Sequence, residues 1–233
     1  MMKRSEVERH IAWAKRLIDE TGCTLPSFAY WTLQDWREKG DLTSGMKKVM
    51  LGWDVTDYGM GDFSKIGNVL FTVRNGSLHD ASIGTPYAEK LIPILDGQRL
   101  PMHCHHSKTE DIINRGGGVM FMKLYNSLPS GQPDFESDVT VYSDGLPITV
   151  KAGEEFYVTR GNSLSLTPGM YHIFGAKAGA GDLVVGEVSS INDDNIDNDF
   201  YEDVQRFVAL EEDVPATVVL CNEYDKLLSI ADR

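Results

Sequence analysis

The chain has 233 residues, 42% hydrophobic and 24% charged, enough to bury one substantial core and ordinary for a single all-β domain. Its 35 acidic residues against 22 basic ones give a net charge of −13, which argues against a nucleic-acid partner and against an anionic membrane surface. No stretch approaches the roughly 20 apolar residues that span a bilayer, and the three scattered cysteines form no pairing framework, so a soluble cytoplasmic protein is expected.

In chain order, Met-Met-Lys-Arg-Ser-Glu leads into an amphipathic helix, not a signal peptide. Ser5 and Glu8 have capping-box spacing, Val7, Ile11, Ala14, Leu17 and Ile18 recur at helical period, and Gly22 is the expected stop. A second helix is expected from Ser27 to Glu38, its Trp31 and Trp36 read as core packing. From Lys48 the texture changes to short apolar runs: Asn68–Val73, Leu91–Leu95, Val119–Leu124, Val139–Tyr142, Glu155–Val158, Leu164–Leu166 and Leu183–Val185. Turn signals stand at Arg74-Asn-Gly76, Ser143-Asp-Gly145 and Ala152-Gly-Glu154. Such spacing predicts a barrel or sandwich, with residues 1–45 as a helical extension packed outside and 46–233 as the β-barrel of one structural domain. The acidic stretch Ile191 to Asp199 reads as a loop, either solvated at the surface or lying as a lid over the barrel mouth, Val218–Leu220 as an added strand, and Glu223 to Ile230 as a short helix.

His103 and His105 are two residues apart, and Glu110 follows five later, between Gly97 and Gly117. On a strand the two imidazoles share a face while Cys104 points away. Glu110 can then reach back from the neighbouring turn or strand. Two neutral imidazoles and a carboxylate suit a divalent ion such as Mn, Fe, Ni, Co or Zn. His172, after the turn Thr167-Pro-Gly169 and at the start of another apolar strand, is the fourth candidate ligand. His106 alternates to the outside, and His10 and His79 are read as surface residues.

The pattern Gly-x5-His-x-His-x4-Glu-x6-Gly from Gly97 to Gly117 matches the first motif of the cupins at every position. The second motif is partial: Gly161, Pro168, Gly169 and His172 are present, but Gly169 directly follows Pro168, and Ala176 stands where Asn is expected. Longer strings resemble the D-lyxose isomerase family of sugar ketol-isomerases. They are Gly52-Trp-Asp-Val-Thr-Asp57, Phe71-Thr-Val-Arg-Asn-Gly76, His106-Ser-Lys-Thr-Glu-Asp-Ile-Ile-Asn-Arg-Gly-Gly-Gly118, Gly186-Glu-Val-Ser189, Arg206-Phe207, Glu211-Glu-Asp213 and Leu220-Cys-Asn-Glu-Tyr224. The resemblance covers Leu51 to Tyr224 and implies a single jelly-roll barrel, a monosaccharide substrate, interconversion of D-lyxose with D-xylulose and of D-mannose with D-fructose, and manganese as the metal.

Three histidines and one glutamate leave a coordination position open, as a catalytic metal requires. Aldose–ketose isomerisation also needs a proton carried between C1 and C2, which suits a carboxylate. Glu187, on an apolar strand face, is the leading base, with Glu211 and Glu212 as competitors if their segment folds back over the barrel mouth. Lys108, between His105 and Glu110, is placed to donate to a developing alkoxide. Lys90, Asp193 and Arg206 are weaker candidates for hydroxyl contacts. Arg115 and Gly116-Gly-Gly118 serve backbone geometry, since no helix start follows to cradle a phosphate. A cupin dioxygenase, a sugar-phosphate isomerase and a non-enzymatic sugar-binding cupin are the alternative readings. Exposed sheet edges make a homodimer the expected assembly.

Overall fold

The computed structural model describes residues 1–194 and 196–228. A short strand β1 (Met2–Lys3) precedes the helices α1 (Arg4–Glu20), α2 (Leu33–Lys39) and α3 (Ser44–Lys48). The strands that follow are β2 (Gly52–Thr56), β3 (Asn68–Gly76), β4 (Gly84–Ile94), β5 (His103–His105), β6 (Glu110–Gly117), β7 (Met120–Ser127), β8 (Pro133–Asp134) and β9 (Val139–Ser143). After them come β10 (Leu146–Val150), β11 (Phe156–Val158), β12 (Ser163–Leu166), β13 (Tyr171–Ala176), β14 (Leu183–Ser190), β15 (Asn198–Phe200) and β16 (Leu210–Glu211), and the chain closes on α4 (Tyr224–Leu228).

Two mainly antiparallel sheets face each other, one in the order β10-β9-β12-β6-β14-β4-β3-β2 and the other β11-β7-β13-β5-β15. This is the jelly-roll arrangement expected of a cupin. The β9–β10 hairpin turns on Asp144 and Gly145, both at positive φ (49° and 84°) with Ser143 opposite Leu146, the backbone that a two-residue turn between twisted strands requires.

Period-two alternation divides the large sheet. Ile92 and Ile94 of β4, Ile112 of β6, and Leu183 and Val185 of β14 point inward to a cluster with Met120, Met122, Leu124 and Phe174. Val69 and Phe71 of β3, Leu91 of β4 and Val184 of β14 point outward and are covered by Val7, Ile11, Ala14 and Ile18 of α1. Each such side chain contributes about 2 kcal/mol on burial. The helices and the barrel thus share one apolar layer. Gly117 (φ 82°) carries β6 past β14 so closely that a Cβ would lie 2.2 Å from the Asp182 carbonyl oxygen, so the glycine run there is a backbone device, as the sequence suggests.

Several local expectations are corrected. Helix α1 starts at Arg4, with Glu6 accepting from the Lys3 N–H. Ser5 instead donates to Asp213, and Glu8 accepts from Thr217 and Val218, because tertiary partners outbid the local cap. The second helix is broken in two: Ser27–Tyr30 is a 3-10 turn, and Thr32 caps α2 through the Asp35 N–H. Arg74-Asn-Gly76 lies inside β3, not in a turn. Val218–Leu220 forms only a bridge from Leu220 to Trp53. His10 is not a surface residue but stacks on Phe63, ring centroids 3.8 Å apart. The end of the acidic stretch pairs as β15 with β5, while Asn195, and Ser229 and Ile230 of the expected final helix, lie outside the described residues. Trp36 is buried with Val219, Cys221 and Tyr224, and Trp31 packs against that cluster.

Candidate active site

Strand β5 is clamped between β13 and β15, with His103 opposite His172 on one side and Phe200 on the other. His103 and His105 share a face, while Cys104 packs on the opposite side with Met102 and Tyr171. The Pro168–Gly169 turn fixes β13 to β5: the Gly169 N–H donates to the His105 carbonyl at 2.8 Å. Despite its altered spacing, the second motif thus delivers His172. One nitrogen each of His103, His105 and His172 lie within 4.8 Å of one another, all three residues buried. Glu110, the first residue of β6, places Oε1 3.3 Å from both His105 Nε2 and His172 Nε2.

The tautomers follow from the neighbours. The Nδ1 atoms of His103 and His172 lie 2.8 Å from Pro101 O and 3.0 Å from Met170 O. A carbonyl only accepts, so Nδ1 carries the proton and Nε2 presents a lone pair. Burial and mutual repulsion keep both imidazoles neutral, His172 lowered to about 4 and His103 well below its ordinary value. His172 Nε2 and Glu110 Oε1 are buried acceptors with no hydrogen-bond partner. Buried acceptors converging without a donor are unfavourable unless a cation lies among them. The donor set therefore fits a divalent ion held by His103, His105, Glu110 and His172.

The polar cavity wall follows from the same alternation that builds the core. On the sheet path β6-β14-β4-β3-β2, five inward positions are polar: Glu110, Glu187, Lys90, Asn68 and Asp54, all buried. Glu187 and Lys90 are direct cross-strand partners. An unbroken series of opposite charges results. Lys108 Nζ lies 2.7 Å from Glu110 Oε2 and 2.9 Å from Glu187 Oε1. Glu187 Oε1 is 3.2 Å from Lys90 Nζ, which is 3.6 Å from Asp194. Asp194 is 2.5 Å from Arg206, whose other nitrogen binds Asp54.

Burial alone would raise the Glu187 carboxyl, but Lys108 and Lys90 hold it below its ordinary value. Burial alone would lower the Lys108 ammonium, but Glu110 and Glu187 hold it above. Both are charged at neutral pH. Each sits where its charge has a partner that a substrate oxygen can share. These groups line a cavity of about 400 Å³, its open mouth included, together with Tyr58, Asn198 and Phe200.

The structure thus brings together His103, His105, Glu110, His172, Lys108, Glu187, Lys90 and Arg206. It does not bring in Glu211 and Glu212. Glu211 pairs with Lys3 in the parallel β1–β16 ladder, and Glu212 binds Arg4 and Lys226; the segment folds toward the N-terminus, not over the mouth. Asp193 faces a neighbouring cavity of about 650 Å³ lined also by Asn75, Asn192 and Cys221, while Asp194 borders both cavities. Of the acidic stretch, Asp194 and Asn198 line the site, with Asp194 tied to Arg206 and Asp197 to Ser107. Asp54, Asp194, Tyr58, Asn68 and Phe200 escaped the sequence reading. Asp54 alone carried a signal, since it lies in the string Gly52–Asp57.

A family model described as D-lyxose isomerase matches residues 2–224. The D-lyxose/D-mannose isomerase of Escherichia coli O157:H7 is 42% identical over 226 residues, 96% of this chain and 98% of that protein. The D-lyxose/D-mannose isomerase of Serratia proteamaculans is 39% identical over 236 residues, 98% of this chain and 100% of that protein. Among solved structures, the L-ribose isomerase of Acinetobacter sp. DL28 in complex with L-ribose superposes with a TM-score of 0.56 at 17% identity, covering 91% of this chain and 98% of that one, a likeness of fold. Model and relatives span nearly the whole chain, the four candidate ligands and the charged wall included: the chain belongs to the D-lyxose isomerase family.

Proposed function

We propose that this enzyme is a metal-dependent aldose–ketose isomerase that interconverts D-lyxose with D-xylulose, and D-mannose with D-fructose, through a cis-enediol. The observation that carries this reading is the Lys108–Glu187 pair, buried in the cavity wall beside the converging histidines. A ligand set alone serves oxygen chemistry as well. A carboxylate and an ammonium within reach of the same bound oxygens and carbons is what proton transfer along a sugar chain needs. Names of full-length relatives support the substrates.

Bound at His103, His105, Glu110 and His172, a divalent ion supplies a Lewis acid for the oxygens of the open-chain sugar; manganese is the ion that the family resemblance favours. Glu187 removes the C2 proton of the aldose and returns it to C1 while the hydroxyl proton on O2 passes to O1, so the C2–H and O2–H bonds break, C1–H and O1–H bonds form and no external electron acceptor is needed. Lys108 donates a hydrogen bond to the oxygen on which negative charge grows. Lys90 holds Glu187 ionised and oriented, and Arg206 with Asp194 binds sugar hydroxyls further along the chain. Phe200, stacked near His103 at 5.5 Å between centroids, keeps water from the reacting carbons.

Replacing Glu187→Gln tests the assignment. Loss of a positioned base costs on the order of 10²–10⁴ in rate. The variant is expected to lose kcat by that factor, and to lose exchange of the C2 hydrogen in D2O, while keeping its metal and its melting temperature. Turnover within threefold of the parent enzyme would rule out Glu187 as the base, and unchanged activity in both Glu187→Gln and Lys108→Met would rule out the isomerase chemistry written here.

A further inference from the structure

The ion-pair series accounts for the charged groups of the cavity, but one neutral corner remains. Asn68 is 3% exposed and lines the cavity beside Leu70. Its Oδ1 is buried and has no hydrogen-bond partner. Its Nδ2 donates to the Tyr58 hydroxyl across 3.5 Å. Tyr58 is likewise 3% exposed, and among the described residues its hydroxyl donates to no acceptor.

Tyr58 is also held in an unusual backbone. Its φ is +55°, a region that bulky residues avoid. Its N–H donates to Thr56 Oγ1, and the Asp57 carboxylate accepts from the N–H groups of Gly59 and Gly61. The ring rests on Phe200, centroids 5.8 Å apart. A strained, braced tyrosine next to an orphaned amide oxygen is a costly arrangement for packing alone.

Its place along the cavity gives it a use. From the histidines the charged wall runs Glu110, Lys108, Glu187, Lys90, Asp194, Arg206. The charges acting on the Tyr58 hydroxyl are those of Arg206, Asp54 and Asp194, the far members of that series. A sugar with its first two carbons at Glu187 and its tail lying along Lys90, Asp194 and Arg206 would reach this corner. A hydroxyl group both donates and accepts, and the corner offers one acceptor, Asn68 Oδ1, and one donor, Tyr58 O–H.

We infer that Asn68 and Tyr58 form a two-point receptor for the hydroxyl on the sixth carbon of an open-chain hexose, and so set this enzyme's preference between six- and five-carbon aldoses. The inference rests on the isomerase reading above. A pentose ends one carbon short and leaves Asn68 Oδ1 without its donor.

The test compares kcat/KM for D-mannose, 6-deoxy-D-mannose and D-lyxose in the parent enzyme, Asn68→Ala and Tyr58→Phe. Removing the hydroxyl from the sugar is expected to cost the parent about tenfold and Asn68→Ala less than about twofold, the mark of a coupled pair. In both variants D-mannose turnover is expected to fall more than D-lyxose turnover, so that the ratio of the two kcat/KM values drops about threefold or more. Tyr58→Phe removes one oxygen and keeps the ring on Phe200, so it carries the comparison if Asn68→Ala does not fold. Equal losses on all three sugars, an undiminished deoxy penalty in the variants, or no penalty in the parent would each overturn the receptor. A parent enzyme that converts none of the sugars would instead overturn the isomerase reading.

Discussion

Lys90 and Lys108, both buried, and the half-buried Arg206 place three cations in a wall that also holds Glu110, Glu187 and Asp194, with Asp54 behind Arg206. In a low-dielectric wall an unpaired ion costs several kcal/mol, so each charge fixes the position of the next. Asp194 is the joint between the reacting half and the far half, because it contacts both Lys90 and Arg206. Asp194→Asn is therefore expected to lower kcat/KM by about ten- to a hundredfold, the worth of a charge-assisted hydrogen bond, and Asp193→Asn by less than twofold. Steady-state kinetics on the two variants check this, and the reverse ranking would refute it. The histidine pair and Glu187 were legible in the sequence because strand alternation decides which side chains share a face, and Lys108 because it lies between His105 and Glu110. Asp194, one residue past the candidate Asp193, carries no sequence signal of its own, because a loop has no period to say which residue faces the cavity. Asn68 and Tyr58 were invisible for a related reason: an amide at a strand start and a phenol in the turn after β2 carry no pattern that marks them until an unpaired oxygen is seen.

At the scale of elements, the segment that carries Phe200 and Arg206 is anchored at its far end by the N-terminus. β16 pairs in parallel with β1, and Arg4, fully buried, binds both Glu212 and Glu223. The pair Glu211–Glu212 resembled site residues in sequence, yet its work is to hold this seam. Nothing in a local sequence pattern could show that, because the partner lies 208 residues away. Arg4→Met leaves the buried Glu223 without its guanidinium, and breaking such a pair costs about 3–5 kcal/mol. Denaturant unfolding should show a loss of that order, with metal binding at the histidines retained. A loss under about 1 kcal/mol would mean that the seam is not held this way. The strands themselves were mostly legible as apolar runs, whereas the split of the second helix at Thr32 and the extension of β3 through Asn75-Gly76 were set by tertiary pairing, which overrides turn and helix signals.

For the whole molecule, the docking of the helical layer on the barrel is pH-sensitive at His10. Its ring, stacked on Phe63, has its pKa lowered to about 4, first by burial and then by Arg9. The unfolded chain takes up a proton near pH 6.5 and the folded chain only near 4, so between these values unfolding is favoured as pH falls. Stability should be fully present above pH 6.5 and decline toward pH 4, by on the order of 2–3 kcal/mol. His10→Phe should flatten the profile in that window, and an unchanged profile would contradict the assignment. At this scale the single jelly roll with helices outside was already expected from strand spacing and the first cupin motif. None of the described helices is long and apolar enough to cross a membrane, and all three cysteines are unpaired.

The most direct measurement is ketose formation from D-lyxose by the chelator-stripped enzyme, with and without added manganese. Negligible turnover without metal and its recovery on adding manganese in step with binding at His103, His105, Glu110 and His172 is the expected result. Stoichiometric metal binding with no ketose from D-lyxose or D-mannose under any divalent ion would contradict the proposed function.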